Sequence, residues 1–185
     1  LVNLKQIHFT GKEISVGYFL LPAEKKDIGV AQWLELDDAM MHRALSLAQQ
    51  AADLQEVPVG AVVYRGGEIL GEAHNRRESD QDPTAHAEVI ALRAAAATTG
   101  SWRLPECDIA VTLEPCPMCA GAMINARIRR LIYGAADPKM GSVDSLYQLC
   151  TDPRFNHRLQ VRSGVLAEPC GSLLGKFFTR LRDRS

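Results

Sequence analysis

Residues 109–133, IAVTLEPCPMCAGAMINARIRRLIY, predict a strand, a helix and a second strand in close succession. The apolar run Ile109–Leu113 is typical of a buried strand, and Leu131–Tyr133 is typical of the next one. Pro115 predicts the start of a helix, because proline is favoured in the first turn. We expect this helix to run to about Ala126. Strands that alternate with helices in this way indicate an α/β fold.

The same alternation continues in both directions from this stretch. Upstream, Val57–Tyr64 and Ile69–Ala73 predict two strands joined by a hairpin turn, and downstream Leu159–Val165 predicts a fifth strand. Helices are predicted over residues 37–54, 85–97, 143–149 and 168–182. Asp37 or Asp38 would cap the first of them. The expected architecture is one sheet with helices on both of its faces.

The first 35 residues differ from the rest of the chain, because they have mixed polarity and no sustained period. We expect an N-terminal extension over residues 1–35, which forms one hairpin, is partly disordered or derives from an expression vector. One domain would then occupy residues 36–185. A length of 185 residues with 46% hydrophobic and 23% charged residues is ordinary for a single domain. These values exclude global disorder and fibrous classes.

Several features predict a cytoplasmic protein without a membrane partner. No apolar run approaches the ~18 residues that span a bilayer. The run Val16–Leu21 is interrupted by Gly17 and lacks the basic leader and cleavage site of a signal peptide. The chain has five cysteines, and this odd number argues against a disulfide framework.

The net charge of −1 hides an uneven distribution. Residues 1–126 carry a net charge of −7, and residues 127–185 carry one of +6. A basic final third suits an anionic partner that docks on one side of the protein. A surface rich in salt bridges would give the same composition. Charge alone leaves both interpretations open.

Two short segments, HAE at residues 86–88 and PCPMC at residues 115–119, carry the residue types of a metal site. Cys116 and Cys119 are three residues apart in a predicted helical turn, so both sulfurs face one way. With His86 they supply three of the four ligands of a tetrahedral zinc site, and the fourth position is left for water. Glu88 can lie beside that water and move its proton.

Other interpretations of these residues stay open at this point. The two cysteines would suffice for a redox pair, which leaves His86 and Glu88 unexplained. A structural zinc site would need a fourth ligand such as His42, His74 or His157. His86 would also be acceptable as an ordinary core histidine. The joint pattern H-x-E followed by P-C-x-x-C, however, is the established signature of zinc-dependent nucleobase deaminases.

Flanking segments narrow the resemblance. Over about residues 36–184 the chain resembles the bacterial tRNA-specific adenosine deaminases, in the segments Glu56–Val62, His74–Glu78, Asp82–Arg93, Leu113–Ile124, Asn156–Arg158 and Phe177–Phe178. The resemblance implies a three-layer α/β/α sandwich with a mixed five-stranded sheet, the cytidine deaminase-like fold. It also implies a homodimer with one zinc ion per subunit that converts the wobble adenosine of a tRNA anticodon stem-loop to inosine.

The resemblance also assigns roles to individual residues. It implies that His86, Cys116 and Cys119 bind zinc and that Glu88 is the proton shuttle. It implies that substrate is bound by Asn75, which holds the flipped nucleoside, and by Val57 and Pro58, which line the base pocket. Met123 and Ile124 are the candidate contacts of the dimer.

The last helix and one loop would contact RNA. Phe177 and Phe178 offer rings for stacking, and Lys176, Arg180, Arg182 and Arg184 attract phosphate. We expect one of the two rings in the core and the other exposed. Asp137 lies in a loop that the resemblance places near RNA, where it would contact a ribose hydroxyl.

Two other functions compete with this one. A deaminase of the same superfamily that acts on free guanine, cytosine or a nucleotide would not need the basic, aromatic tail. A non-catalytic zinc module that binds RNA would not need Glu88.

Overall fold

The computed structural model describes residues 5–10, 13–18 and 30–183. Strand β1 (Lys5–Thr10) pairs antiparallel with strand β2 (Glu13–Tyr18), and the two form a separate two-stranded sheet. The partial disorder expected within residues 1–35 lies outside the described residues.

Five further strands form the main sheet: β3 (Gly60–Arg65), β4 (Glu68–His74), β5 (Asp108–Leu113), β6 (Arg130–Ala135) and β7 (Gln160–Arg162). Their order across the sheet is β4-β3-β5-β6-β7. Strand β3 pairs antiparallel with β4 and β5, whereas β5, β6 and β7 run parallel to one another. The predicted mixed sheet of five strands is confirmed, although β7 is shorter than the pattern of alternation suggested.

Helices cover both faces of this sheet: α1 (Val30–Asp53), the single turn α2 (Arg77–Asp80), α3 (Ala87–Thr99), α4 (Pro117–Ala126) and α5 (Ala167–Arg182). Helices α3 and α4 cover one face, and α1 and α5 cover the other. The expected three-layer sandwich is therefore confirmed. Within the described part of the chain, no helix is long and apolar enough to cross a membrane.

Each face of the sheet has its own apolar core. Neighbouring side chains of a strand point to opposite faces, so Val62 and Val63 of β3 belong to different cores. Val63 packs in the cluster that contains Leu92 of α3 and Met123 of α4. Val62 packs in the cluster that contains Met41 of α1. The sheet thus separates two helical layers, and consecutive side chains of β3 pack in different cores.

Gly71 allows α3 to lie directly on β4. A Cβ atom at this position would lie 2.4 Å from the carbonyl oxygen of Ala91 and 2.5 Å from the amide nitrogen of Ala95. Only glycine avoids this collision with the helix backbone. The close packing brings the start of α3 to the end of β4, where the Arg76 N–H donates to the carbonyl oxygen of Ala85 at 3.0 Å.

Helix α1 begins earlier than predicted. It starts at Val30, so neither Asp37 nor Asp38 is its cap. Asp37 is fully buried and accepts hydrogen bonds from side chains of β3, β6 and β7. An aspartate before an apolar run has the sequence signature of a cap, but here distant strands supply its partners. The boundary expected between residues 35 and 36 falls within this helix.

Two details of the PCPMC segment and the loop after β6 also differ from prediction. Helix α4 has Cys116 as its N-cap residue and Pro117 in its first turn, so Pro115 precedes the helix. The short helix expected over residues 143–149 is wrong, since this segment consists of turns, a bend and irregular chain until a 3-10 helix begins at its last residue, Leu149–Thr151. A side-chain carboxylate binds the amide groups at residues 143–145 and thereby fixes the turns.

Met123 and Ile124 do not form a surface. They are 0% and 4% exposed, because both side chains lie on the side of α4 that packs against the sheet. The expectation that they contact a partner subunit is wrong. They belong to the core of their own chain.

Candidate active site

The metal-ligand candidates meet where two helices begin. His86 is the N-cap residue of α3, and Cys116 is the N-cap residue of α4. Cys119 lies in the first turn of α4. The beginning of a helix carries partial positive charge and free N–H groups, which favour the thiolate form of cysteine.

These three side chains converge. His86 Nδ1 lies 3.6 Å from Cys116 Sγ and 3.5 Å from Cys119 Sγ. The three potential ligand atoms all lie within 4.8 Å of one another. One imidazole nitrogen and two sulfurs are a donor set that zinc prefers. The residues present therefore fit a zinc ion.

No fourth protein ligand joins this cluster among the residues that the structure describes. His157 Nε2 lies 2.7 Å from the carbonyl oxygen of Ile128, and His74 Nδ1 lies 2.8 Å from that of Asn75. His42 is exposed on α1. None of the three histidines considered as a fourth zinc ligand belongs to the cluster. This favours a catalytic type of zinc site, in which the fourth ligand position is left to solvent.

Hydrogen bonds inside the cluster make one thiol acidic. The Cys119 thiol and, against the effect of burial, the His86 ring lower the pKa of Cys116 to about 4. The hydrogen bond to Cys116 and burial raise the pKa of Cys119. Cys116 is therefore a thiolate at neutral pH, the form that binds metals.

Glu88 is almost fully buried beside the cluster, with 4% of its surface exposed. Burial raises the pKa of its carboxyl group, and the carboxyl group interacts electrostatically with Cys116 and His86. A carboxyl group in this position can accept a proton and return it. Glu88 is not one of the three converging ligands.

Asn75 follows the last residue of β4 and is buried. Its backbone N–H donates to the carbonyl oxygen of Val59 at 2.9 Å, and its side-chain Nδ2 donates to Glu56 Oε2 at 3.0 Å. Sequence reasoning missed Glu56, which is fully buried. Its signals were a single carboxylate directly before an apolar strand and its place in the segment Glu56–Val62, which carries part of the resemblance.

Val57 and Pro58 lie between Glu56 and the start of β3. Strand β3 begins at Gly60, so both residues belong to the segment before the strand and not to the strand itself. Val57 is half-buried against the apolar core, and Pro58 is buried. They reach the same edge of the sheet as Asn75, which bonds to the neighbouring residue Val59.

Asp137 lies in the loop after β6, and its side chain stabilises that loop. Its Oδ1 accepts hydrogen bonds from the backbone N–H groups of Lys139 at 2.9 Å and Met140 at 3.3 Å. The carboxylate therefore closes a turn.

Glu114, which sequence reasoning also missed, organises the same loop. Its buried carboxylate accepts backbone hydrogen bonds from Asp137, Val143, Asp144 and Ser145. Burial raises the pKa of Glu114, but the hydrogen bonds from Ser145 and Asp144 outweigh this and bring it to about 2. Since Glu114 is two residues before Cys116, one carboxylate connects the loop to the candidate metal site.

The two phenylalanines of α5 differ in exposure. Phe177 is 8% exposed and Phe178 is 41% exposed. Their rings are in edge-to-face contact, with centroids 5.4 Å apart. Only Phe178 is open to a ligand, while Phe177 supports it from the core. Lys176, Arg180 and Arg182 are exposed on the same helix, and Arg184 lies outside the described residues.

Comparison with known proteins identifies the family. The sequence model of the MafB19-like deaminase family matches residues 35–182. A tRNA-specific adenosine deaminase of Bacillus subtilis (strain 168) is 45% identical over 148 residues, which cover 80% of this chain and 92% of the relative. A tRNA-specific adenosine deaminase of Haemophilus influenzae is 47% identical over 150 residues, 80% of this chain and 87% of the relative.

Solved structures agree with this assignment. A structure from work on A-to-I editing by tRNA:A34 deaminases at the wobble position is 43% identical, with a TM-score of 0.71, and the match covers 74% of this chain and 99% of that one. A guanine deaminase from Nitrosomonas europaea, 23% identical, has a TM-score of 0.65 over 82% of this chain and 95% of its own, and it shows the shared fold alone. The chain belongs to the MafB19-like deaminase family and to the tRNA-specific adenosine deaminases.

Proposed function

We propose that this protein deaminates the wobble adenosine of a tRNA anticodon stem-loop to inosine, with a zinc ion held by His86, Cys116 and Cys119. The observation that carries the proposal is the convergence of these three side chains beside the buried Glu88. Relatives that are about 45% identical are tRNA-specific adenosine deaminases, which supports adenosine in tRNA as the substrate.

The reaction consumes one water and releases one ammonia. When bound, zinc would lower the pKa of that water and so supply a nucleophile at neutral pH. Glu88 takes the proton of the attacking water and delivers it to the ring nitrogen of adenine, and it then assists the departure of the amine. Its burial keeps the carboxyl group away from bulk solvent during these transfers.

Residues at the edge of the sheet would hold the substrate. Val57 and Pro58 would line the pocket for the base, with Pro58 packed below the surface, and Asn75 offers a polar group next to the segment that leads into His86. Phe178 would stack on a nucleotide of the loop, and the cations of α5 would attract its phosphates. Asp137 would contact the RNA through the loop that Glu114 holds in place.

The protein would act as a homodimer whose partner subunit covers the outer surface of α3 and α4. An apolar groove of about 290 Å³ lies there and is lined by Val89, Leu92, Arg93, Ala96, Trp102, Ala122, Asn125 and Ala126. Trp102 is 56% exposed at this groove. A large exposed aromatic residue beside an apolar groove is typical of a protein interface.

We also propose that residues 36–185 form the catalytic domain, preceded by an extension over residues 1–35, and that the protein acts in the cytoplasm. The match of the family model, which begins at residue 35, supports this division of the chain. A tRNA substrate and a site that needs reduced cysteines support a location in the cytoplasm.

One experiment tests the proposed reaction. The protein is incubated with an RNA anticodon stem-loop that has adenosine at the wobble position, and inosine is quantified with and without a zinc chelator. Free guanine and cytosine are assayed in parallel by ammonia release. Inosine formation that the chelator abolishes is the expected result. Reaction with the free bases alone would overturn the proposal in favour of a small-molecule deaminase.

A further inference from the structure

Glu56 is a buried carboxylate that accepts a hydrogen bond from the side chain of Asn75. An apolar residue in its place would leave that donor without a partner. Its side chain is fully buried, and it accepts hydrogen bonds from Asn75, Glu78 and Ser79. Oε1 accepts from the Ser79 N–H at 2.7 Å, while Oε2 accepts from the Glu78 N–H at 3.3 Å and from Asn75 Nδ2 at 3.0 Å. The donors from Glu78 and Ser79 are backbone N–H groups, whose orientation is fixed by the fold.

These bonds determine which end of the Asn75 amide faces Glu56. An ionised carboxylate only accepts hydrogen bonds, so the amide nitrogen of Asn75 must point to it. Burial raises the pKa of Glu56, but the hydrogen bonds from Ser79 and Glu78 outweigh it and hold the pKa below its usual value. Glu56 is therefore ionised at neutral pH, and the orientation of the amide is fixed.

The carbonyl oxygen of Asn75 is consequently turned away from Glu56. Among the residues that the structure describes, no donor binds this oxygen, and no buried polar side-chain atom lacks a partner. The oxygen therefore reaches the surface at the edge of the sheet. There the neighbouring Arg76 N–H is bonded to Ala85, the residue before His86.

A carbonyl oxygen only accepts hydrogen bonds, so a substrate that binds it must offer a donor. The only donor on the base edge of adenine is the exocyclic amine, which the reaction removes, and the ring nitrogens are acceptors. In an RNA chain the 3′ and 5′ oxygens are esterified, which leaves the 2′-hydroxyl as the donor of the sugar. We infer that Glu56 is a positioning residue that orients Asn75 to accept a hydrogen bond from the 2′-hydroxyl of the target adenosine. The inference rests on the proposed function.

The variant Glu56→Gln is expected to reverse this orientation. The amide oxygen of the new side chain would stay with the Ser79 N–H, which makes the shortest of the three bonds. Its NH₂ group would then face Asn75, whose amide must turn so that its oxygen accepts. Asn75 would present its nitrogen to the substrate, and the preference for a donor on the sugar would be lost.

The test compares two stem-loops that differ only in a 2′-deoxy substitution at the wobble adenosine. For the unmodified protein, the deoxy substrate should lower kcat/KM by about 5- to 150-fold, the range expected when a buried acceptor loses its donor. For Glu56→Gln the ratio between the two substrates should fall to about 2-fold or less, an expectation that follows from loss of the same bond. Zinc content and thermal unfolding are measured for both proteins.

Glu72→Gln is the matched control. Glu72 lies on β4, near Asn75 in sequence, but pairs with Arg43 of α1 on the other side of the strand. The Glu72→Gln variant should keep the full loss of kcat/KM that the unmodified protein shows on the 2′-deoxy substrate. A full penalty in Glu56→Gln would overturn the inference. If Glu56→Gln does not fold, Asn75→Ala replaces it, and a full penalty in that variant would also overturn the inference. An unmodified protein that leaves both RNAs unchanged would instead refute the proposed function.

Discussion

The carboxylate of Asp37 in α1 lies 2.6 Å from the guanidinium group of Arg130 in β6, although 93 residues separate them in sequence. Asp37 also accepts hydrogen bonds from Tyr64 at 3.0 Å and Arg162 at 2.8 Å. The side chain of Asp37 is fully buried and that of Arg130 is 15% exposed. This ion pair therefore attaches the first helix to the start of β6, next to the edge strand β7.

Asp37→Asn should destabilise the protein strongly. The variant keeps the shape of the side chain but removes the nearest counter-charge of Arg130 and Arg162, which keep only the longer contacts of 3.3 Å to Asp108 and 3.6 Å to Asp38. Breaking a buried pair typically costs about 3–5 kcal/mol, and these remaining contacts put the expected loss at or below the lower end of that range. Chemical unfolding would measure the loss. Asp38→Asn is the control, since its exposed carboxylate makes only a longer contact of 3.6 Å with Arg162. Equal stability of the two variants would contradict the role assigned to Asp37.

Glu88→Gln should abolish most turnover while the metal stays bound. The variant cannot accept a proton, and loss of a general acid–base group typically costs about 10²–10⁴ in rate. Inosine formation and zinc content, measured on the same preparation, check this. A variant that keeps its activity would mean that Glu88 does not move the proton, and would favour a binding module over an enzyme.

Cys116→Ala and Cys119→Ala should each lose zinc and part of the stability of the protein. Each removes one of three ligands, and bound metal contributes to folding free energy. Metal content after dialysis and the unfolding temperature are the readouts. Cys107→Ala is the control, because Cys107 is buried like Cys119 but lies in the apolar core away from the ligands. That variant should keep its zinc, and loss of metal from all three would contradict the assignment.

The two phenylalanines of α5 should give opposite results. Phe177→Ala should lower stability by about 3 kcal/mol, since it removes a nearly buried ring. Phe178→Ala should leave stability almost unchanged and raise KM for the stem-loop, because its exposed ring is free to stack on a base. Unfolding curves and KM values for both variants test this. A KM unchanged in Phe178→Ala would show that RNA does not contact this ring.

Neutralising Lys176 and Arg180 together should flatten the salt dependence of RNA binding. Each phosphate contact contributes about 0.7 to the slope of log affinity against log salt for a single strand. Binding of a stem-loop at several salt concentrations measures this slope. Arg65→Gln, at the end of β3 where its partner is Glu68, should leave the slope unchanged. An unchanged slope in the double variant would mean that α5 does not touch phosphate.

Most of the fold could be predicted because its signals are local. The apolar run Ile109–Leu113 and the glycine-rich turn before β4 depend only on near neighbours in sequence. The short helix over residues 143–149 failed for the opposite reason. The carboxylate of Glu114, about 30 residues earlier, takes the amide groups that a helix would have used.

By itself, the sequence determined the chemistry of the candidate site. Two cysteines one helical turn apart, with a histidine and a glutamate two residues apart, define a donor set and a proton carrier through residue type and short spacing. The tertiary structure alone decided which side chains support that site. Glu56 meets Asn75 and Asp37 meets Arg162 across 19 and 125 residues. The packing of α5 in the fold likewise buries Phe177 and exposes Phe178. The sequence could not determine these features, because the partner of a side chain and the burial of a helix face depend on where distant elements lie.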